Sequence, residues 1–160
     1  MEEKMWSSGQ VDLIASLDNA DDLKVSRCAF HPVPCFKDNR GTLSVLDYAQ
    51  HVPFPVQRSF FLFDIAAGEY RGRHAHIQCQ QFIFLLSGAV SIGLDDGNIR
   101  QSVRLDSPSV AISTAHLIWN TIYDTAPDAV LAVLASEPYD EADYIRSYDQ
   151  FQKHVRSHDL

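Results

Sequence analysis

Residues 81–98 read Gln81-Phe82-Ile83-Phe84-Leu85-Leu86-Ser87-Gly88-Ala89-Val90-Ser91-Ile92-Gly93-Leu94-Asp95-Asp96-Gly97-Asn98. The run from Gln81 to Leu86 is almost continuously apolar, as expected of a strand buried on both faces. After Ser87-Gly88, the residues Val90, Ile92 and Leu94 alternate with Ser91 and Gly93, the period-two pattern of a half-buried strand. Asp95-Asp96-Gly97-Asn98 then reads as a hairpin turn, because Gly and Asn tolerate positive φ.

The same texture extends in both directions. Upstream, Leu43 to Leu46 follows the turn Asp38-Asn39-Arg40-Gly41, and the phenylalanine-rich stretch Arg58 to Ile65 ends at Gly68. Downstream, Val103 and Leu105, Val110 and Ile112, Ile118 to Ile122, and Ala129 to Ala135 supply four more strands. Pro138 closes the sheet region. Tyr144, Tyr148 and Phe151 fall at i, i+4 and i+7, which predicts a helix face, with Asp140, Glu141 and Asp143 favourably placed in its first turn. Roughly eight or nine strands and one terminal helix predict an all-β fold: a jelly-roll or cupin-like β-barrel with a short C-terminal helix. Residues 1–25 stand apart as an N-terminal extension, in which Val11 to Leu17 predicts a short helix and Asp18 to Asp22 an acidic turn. We place the domain at residues 26–153 and a tail at 154–160.

Composition sets limits on function. A chain of 160 residues, 46% of them hydrophobic, suffices for one domain with one core. The net charge of −8 argues against non-specific binding to nucleic acid or to an anionic membrane. Local arginines must therefore overcome the global field if the substrate is an anion. The sequence contains no apolar run long enough to span a bilayer, and Met1-Glu2-Glu3-Lys4-Met5-Trp6 does not read as a signal peptide. The cysteines Cys28, Cys35 and Cys79 lack metal-knuckle spacing, so we read them as free thiols in a reducing cytoplasm.

The chemistry concentrates in Arg71-Gly72-Arg73-His74-Ala75-His76. Residues i and i+2 of a strand share a face, so His74 and His76 project together. Two imidazoles inside a barrel are costly unless they ligate metal, move protons or are fully hydrogen-bonded. Gly68, His74, His76 and Gly88 fall on the spacing of the first cupin motif, but the carboxylate position holds Gln81. In the second motif region, Ser113-Thr114-Ala115-His116-Leu117-Ile118-Trp119-Asn120, Trp119 takes the position of the remaining histidine ligand. Replacing two of four ligands by an amide and an indole disfavours a metal site, and only a shifted register would bring His116 into it. Metal-free, cofactor-free acid–base chemistry is the expectation. Arg58 and Arg71 are candidate anion binders through their forked guanidinium groups, and Trp119 is a candidate to pack on a base or sugar ring. His51, His154 and His158 read as surface residues, and Cys79 as an inert buried thiol.

With these residues in view, the chain resembles the nucleotide-sugar 3,4-ketoisomerases, the dTDP-4-keto-6-deoxyglucose 3,4-ketoisomerase group with a WxcM-like cupin domain. Matching stretches are Asp38-Asn39-Arg40-Gly41, Pro53-Phe54 leading to Arg58, Arg71 to His76, Leu94 to Asn98, Leu105-Asp106-Ser107-Pro108, Ile118-Trp119, Val133 to Ser136, and Tyr139 to Arg146. The resemblance implies a homodimer, a dTDP-linked keto-deoxysugar substrate, no metal, and a histidine pair that moves a proton between C3 and C4 through an enediol(ate). On that basis His76 is assigned as the main proton carrier and His74 as its partner or oxygen-polarising donor. The chain departs from the family in three places. Phe60-Phe61-Leu62-Phe63 lacks the tyrosine that many relatives carry before the histidines. Thr114-Ala115-His116 replaces a loop with Pro or Gly, so His116 is a candidate to compensate for a lost pocket group. Asn120 replaces a histidine found in some relatives. The competing functions are a metal-dependent cupin enzyme, a non-catalytic nucleotide-sugar binding module, and an epimerase using the same proton abstraction.

Overall fold

In the computed structural model, which describes residues 13–14 and 17–158, the apolar run after Gln81 forms a strand at the centre of a sheet. The strands are β1 (Leu13–Ile14), β2 (Cys28–Pro32), β3 (Cys35–Asp38), β4 (Gly41–Ser44), β5 (Arg58–Leu62), β6 (Arg71–His76), β7 (Gln81–Ser87), β8 (Val90–Asp95), β9 (Arg100–Leu105), β10 (Val110–Thr114), β11 (Trp119–Tyr123), β12 (Val130–Ala135) and β13 (Tyr144–Ile145). The helices are α1 (Tyr48–His51) and α2 (Tyr148–His158). One sheet has the order β1-β9-β8-β11-β6-β13, and the other β2-β10-β7-β12-β5. β3 and β4 form a separate hairpin.

The two sheets pack face to face. Ile83, Leu85, Leu131 and Val133 of one meet Val90, Ile92, Leu94, Val103 and Ile122 of the other in the main core. The other side of β7 is covered too, with Phe82 buried among Val33, Val52, Phe54 and Leu134. That is why β7 lacks alternation: both of its faces are dry. The expected jelly roll takes the form of a two-sheet sandwich, because the hydrogen-bond ladders of the two sheets end separately, at β13 and at β5. A cavity opens beside those edges.

Two local expectations change. Tyr144 is not on the terminal helix. Asp140 caps a single 3₁₀ turn, Glu141–Asp143, by accepting from the Ala142 amide, and the chain then extends so that Tyr144 pairs with His76 across β13 and β6. α2 begins only at Tyr148, and it continues to His158, through most of the stretch expected as a tail. The helix predicted over Val11 to Leu17 is also absent where the chain is described: Leu13–Ile14 pairs in parallel with Ser102–Val103 of β9, and the neighbouring residues 11, 12, 15 and 16 lie outside the described residues. The acidic turn falls within a 3₁₀ helix, Leu17–Asp22.

α2 is fastened by a polar cluster. Buried Asp95 accepts from Arg100 Nε at 2.9 Å and from the Tyr148 hydroxyl at 2.7 Å, and that hydroxyl accepts from Gln152 at 2.9 Å. Beside it, Trp119 meets Tyr148 edge-on at 5.3 Å and Phe151 at 5.7 Å. The sequence assignment of Trp119 to substrate is thereby corrected. It is 1% exposed and fills the core beneath α2, because its alternation on β11 points it away from the cavity.

Candidate active site

The histidine motif sits on a bulged strand. Along β6 and β11, His74 pairs with Asn120 but Gly72 pairs with Thr121, so Arg73 is the extra residue. Arg73 adopts φ +58° and Gly72 φ +77°. A Cβ at position 72 would lie 2.7 Å from Asn120 Oδ1 and 2.9 Å from the Asn120 carbonyl, so only glycine fits. Such bulges re-aim side chains beside functional sites. Here the extra residue puts Arg71 and His74 on the same cavity wall.

The cavity has a volume of about 720 Å³, within the range of ligand pockets. Its floor and walls include His74, Gln81, Asn120, Tyr144, Arg71 and Arg146, with Phe60 to Ile65 along one side. His74 faces it directly. His76 lies behind, 3% exposed, with the two rings edge-to-face at 4.9 Å. The sequence reading assigned His76 as the main proton carrier, whereas it is His74 that lines the cavity.

A chain of hydrogen bonds fixes His76. Its Nδ1 lies 2.8 Å from Asp143 Oδ2, and its Nε2 lies 3.3 Å from the Gln81 amide nitrogen. Asp143 is itself held by the backbone amides of Gln78, at 2.7 Å, and Cys79, at 3.4 Å. Asn120 Nδ2 approaches Gln81 Oε1 at 3.5 Å, which aims the Gln81 N–H groups at the imidazole. This assigns Nδ1–H to Asp143 and the Nε2 lone pair to Gln81.

Burial shapes the charge states. Desolvation pushes His74 down to about 4, with neighbouring His76 adding to the effect and the Gly72 carbonyl opposing it. His74 Nδ1 is buried without a hydrogen bond of good geometry. Burial lowers His76 as well, while the bond to Asp143 opposes the shift. Both rings are therefore neutral near pH 7, available as bases and not as metal-free cations.

Tyr144 closes the site from above. Its ring lies 4.4 Å from His76 and 5.0 Å from His74, and the Arg146 guanidinium stacks on it at 4.5 Å. It brings a phenol to the site whose preceding strand, Phe60 to Phe63, has none. Sequence reading missed Asp143, Tyr144 and Arg146 as site residues, although Tyr139 to Arg146 was among the matching stretches.

Of the other candidates, Arg71 lines the cavity. Arg58 stands beside it rather than in its wall, with its guanidinium over Phe60 at 5.3 Å and Tyr139 at 5.5 Å and its Nε buried without a hydrogen-bond partner. His116 does not line the cavity either. It sits in the turn before β11, where its carbonyl accepts from Arg27 at 2.8 Å, so it neither compensates for a pocket group nor completes a metal site with His74.

Comparison with known proteins agrees with this geometry. The family model described as FdtA, WxcM-like, C-terminal, matches residues 26–156. The TDP-4-oxo-6-deoxy-alpha-D-glucose-3,4-oxoisomerase of Aneurinibacillus thermoaerophilus is 42% identical over 118 residues, which span 74% of this chain and 85% of that protein. The crystal structure of QdtA, a sugar 3,4-ketoisomerase from Thermoanaerobacterium thermosaccharolyticum in complex with TDP, superimposes with a TM-score of 0.82 at 30% identity, covering 85% of this chain and 99% of that one. WlaRB, a TDP-quinovose 3,4-ketoisomerase from Campylobacter jejuni, gives 0.76 at 33% identity, covering 81% and 99%. With the family model matching residues 26–156 and a relative 42% identical, the chain belongs to the FdtA, WxcM-like family of sugar 3,4-ketoisomerases.

Proposed function

We propose that the protein converts a TDP-4-keto-6-deoxyhexose into the 3-keto isomer by proton transfer at His74. The observation that carries this is a neutral imidazole at the wall of an arginine-flanked cavity, backed by a second imidazole that a carboxylate orients. His74 takes the proton from C3, leaving an enediolate across C3 and C4. The imidazolium returns a proton to C4, and the oxygen-bound proton passes from O3 to O4, so the isomerisation balances without a redox partner. Positioned acid–base groups of this kind contribute roughly 10²–10⁴-fold. His76, held by Asp143, keeps its ring edge-on to His74 and neutral. Arg71 and Arg146 bear on the nucleotide's pyrophosphate or the developing oxyanion. Relatives crystallised with TDP and with TDP-4-keto-6-deoxyglucose support a TDP-sugar here.

We also propose a homodimer in the cytoplasm. Phe36 and Leu43 on the β3–β4 hairpin and Phe61 on β5 are more than half exposed, as is Phe63 just beyond it, an apolar surface a monomer seldom leaves open. Light scattering should return about twice the mass of one chain. The free thiols Cys28, Cys35 and Cys79 suit a reducing compartment.

The test is NMR of the protein with TDP-4-keto-6-deoxyglucose in D₂O, with and without chelator. A 3-keto product carrying solvent deuterium at C4, formed at the same rate in chelator, is the expected result. Unchanged, unlabelled substrate alongside measurable TDP binding would instead establish a binding module.

A further inference from the structure

Behind the substrate cavity lies a cluster that proton transfer does not use in full. A ring nitrogen of His76, Cys79 Sγ and an Asp143 carboxylate oxygen all lie within 4.8 Å of one another, and it is Nδ1 that faces Asp143, at 2.8 Å. Around a tetrahedral zinc ion such atoms stand about 3.4–3.6 Å apart, so a modest movement of the thiol and a slight widening of the His76–Asp143 contact suffice. A second cavity of about 480 Å³ reaches Asp143 and shares no lining residue with the substrate cavity. Glu137 and Asp140 line it as well, which makes it attractive to a cation.

We infer that His76, Cys79 and Asp143 bind a thiophilic divalent cation, Zn²⁺ or Cd²⁺, entering through this acidic cavity and switching the isomerase off. The ligand set is nitrogen, sulfur and oxygen, with water in the fourth position. On binding, the thiol proton leaves to solvent and the single His76 proton moves from Nδ1 to Nε2. The resulting thiolate and the Asp143 carboxylate neutralise the ion's two charges, so the buried complex carries no net charge. With metal on Nδ1, the neutral imidazole carries its one proton on Nε2. That nitrogen then no longer accepts from the Gln81 amide, and Gln81, which forms part of the substrate cavity, has to turn. The inhibitory consequence rests on the proposed role of the histidine pair; the binding site does not.

The experiment is titration of the chelator-treated protein with Cd²⁺, reading the ultraviolet thiolate-to-cadmium charge-transfer band and the isomerase rate in parallel. The expected result is a band saturating at one equivalent, at least a tenfold fall in kcat with little change in KM, and recovery on adding chelator. Cys79→Ser and Cys79→Ala should keep the metal-free rate, lose the band and become at least tenfold less sensitive to Cd²⁺. Cys28→Ser and Cys35→Ser should retain both responses. A band that survives in both Cys79 variants, or equal inhibition of those variants, overturns the inference. Should the protein prove inactive on TDP-sugars, the band and its loss in Cys79→Ser still decide the site. Cadmium held by half-buried His154 and exposed His158 gives no thiolate band and is thereby distinguished.

Discussion

Asp143→Asn separates the orienting carboxylate from the rest of the site without changing its shape. Asp143 accepts from His76 Nδ1 at 2.8 Å and from the Gln78 amide at 2.7 Å. An asparagine keeps one oxygen for the Gln78 amide but turns its NH₂ toward the imidazole. His76 must then present Nδ1 as an acceptor and move its proton to Nε2, where it meets the Gln81 N–H groups instead of accepting from them. The lost interaction is a hydrogen bond to a charged group, worth about 1.5–3 kcal/mol. If that stabilisation is realised in the transition state, kcat falls roughly 10- to 150-fold. KM should change little, since Asp143 does not line the substrate cavity. Steady-state kinetics on TDP-4-keto-6-deoxyglucose measure the loss, and ¹⁵N NMR of the His76 ring reports the tautomer. A wild-type kcat with the tautomer switched would refute the assigned role of His76, and a loss confined to KM would place Asp143 in substrate binding.

Three other perturbations follow from the same geometry. His74→Asn should lower kcat by roughly 10²–10⁴-fold while TDP binding, followed by calorimetry, stays near wild type. Because His74 is held down to about 4, kcat/KM should stay level through pH 6.5 and fall only as pH drops toward 4, where the ring gains its proton; an acid limb near 6.5 contradicts the burial argument. The sign for stability is the same: between about 6.5 and 4 the unfolded chain takes up the proton first, so folding weakens as pH falls. Tyr148→Phe removes a hydroxyl that serves Asp95, Arg100 and Gln152, and should lower stability in urea by about 1–3 kcal/mol with kcat unchanged, since the cluster anchors α2 and lies outside the cavity.

The sequence by itself determined the strands and the histidine pair. Period-two alternation from Val90 to Leu94 and the unbroken apolar run of β7 are consequences of which faces are dry, and local pattern records that directly. The spacing of His74 and His76 likewise guarantees neighbouring rings on any extended strand. Tertiary structure decided the rest. The sheets end as a sandwich because the two ladders never join, which no single segment encodes. Tyr144 carries a helical spacing to Tyr148 and Phe151, yet the Asp140 cap and pairing with His76 hold it extended over the site. Asp143 stands 67 residues from the imidazole it orients, so only the fold brings them together. Which histidine lines the cavity depended on the bulge at Arg73, where the register against Asn120 and Thr121 of the neighbouring strand shifts. Trp119 and His116, plausible pocket residues by motif, were removed from the cavity by α2 and by the turn before β11. Periodicity fixes which residues share a face; the packing of remote segments fixes what that face meets.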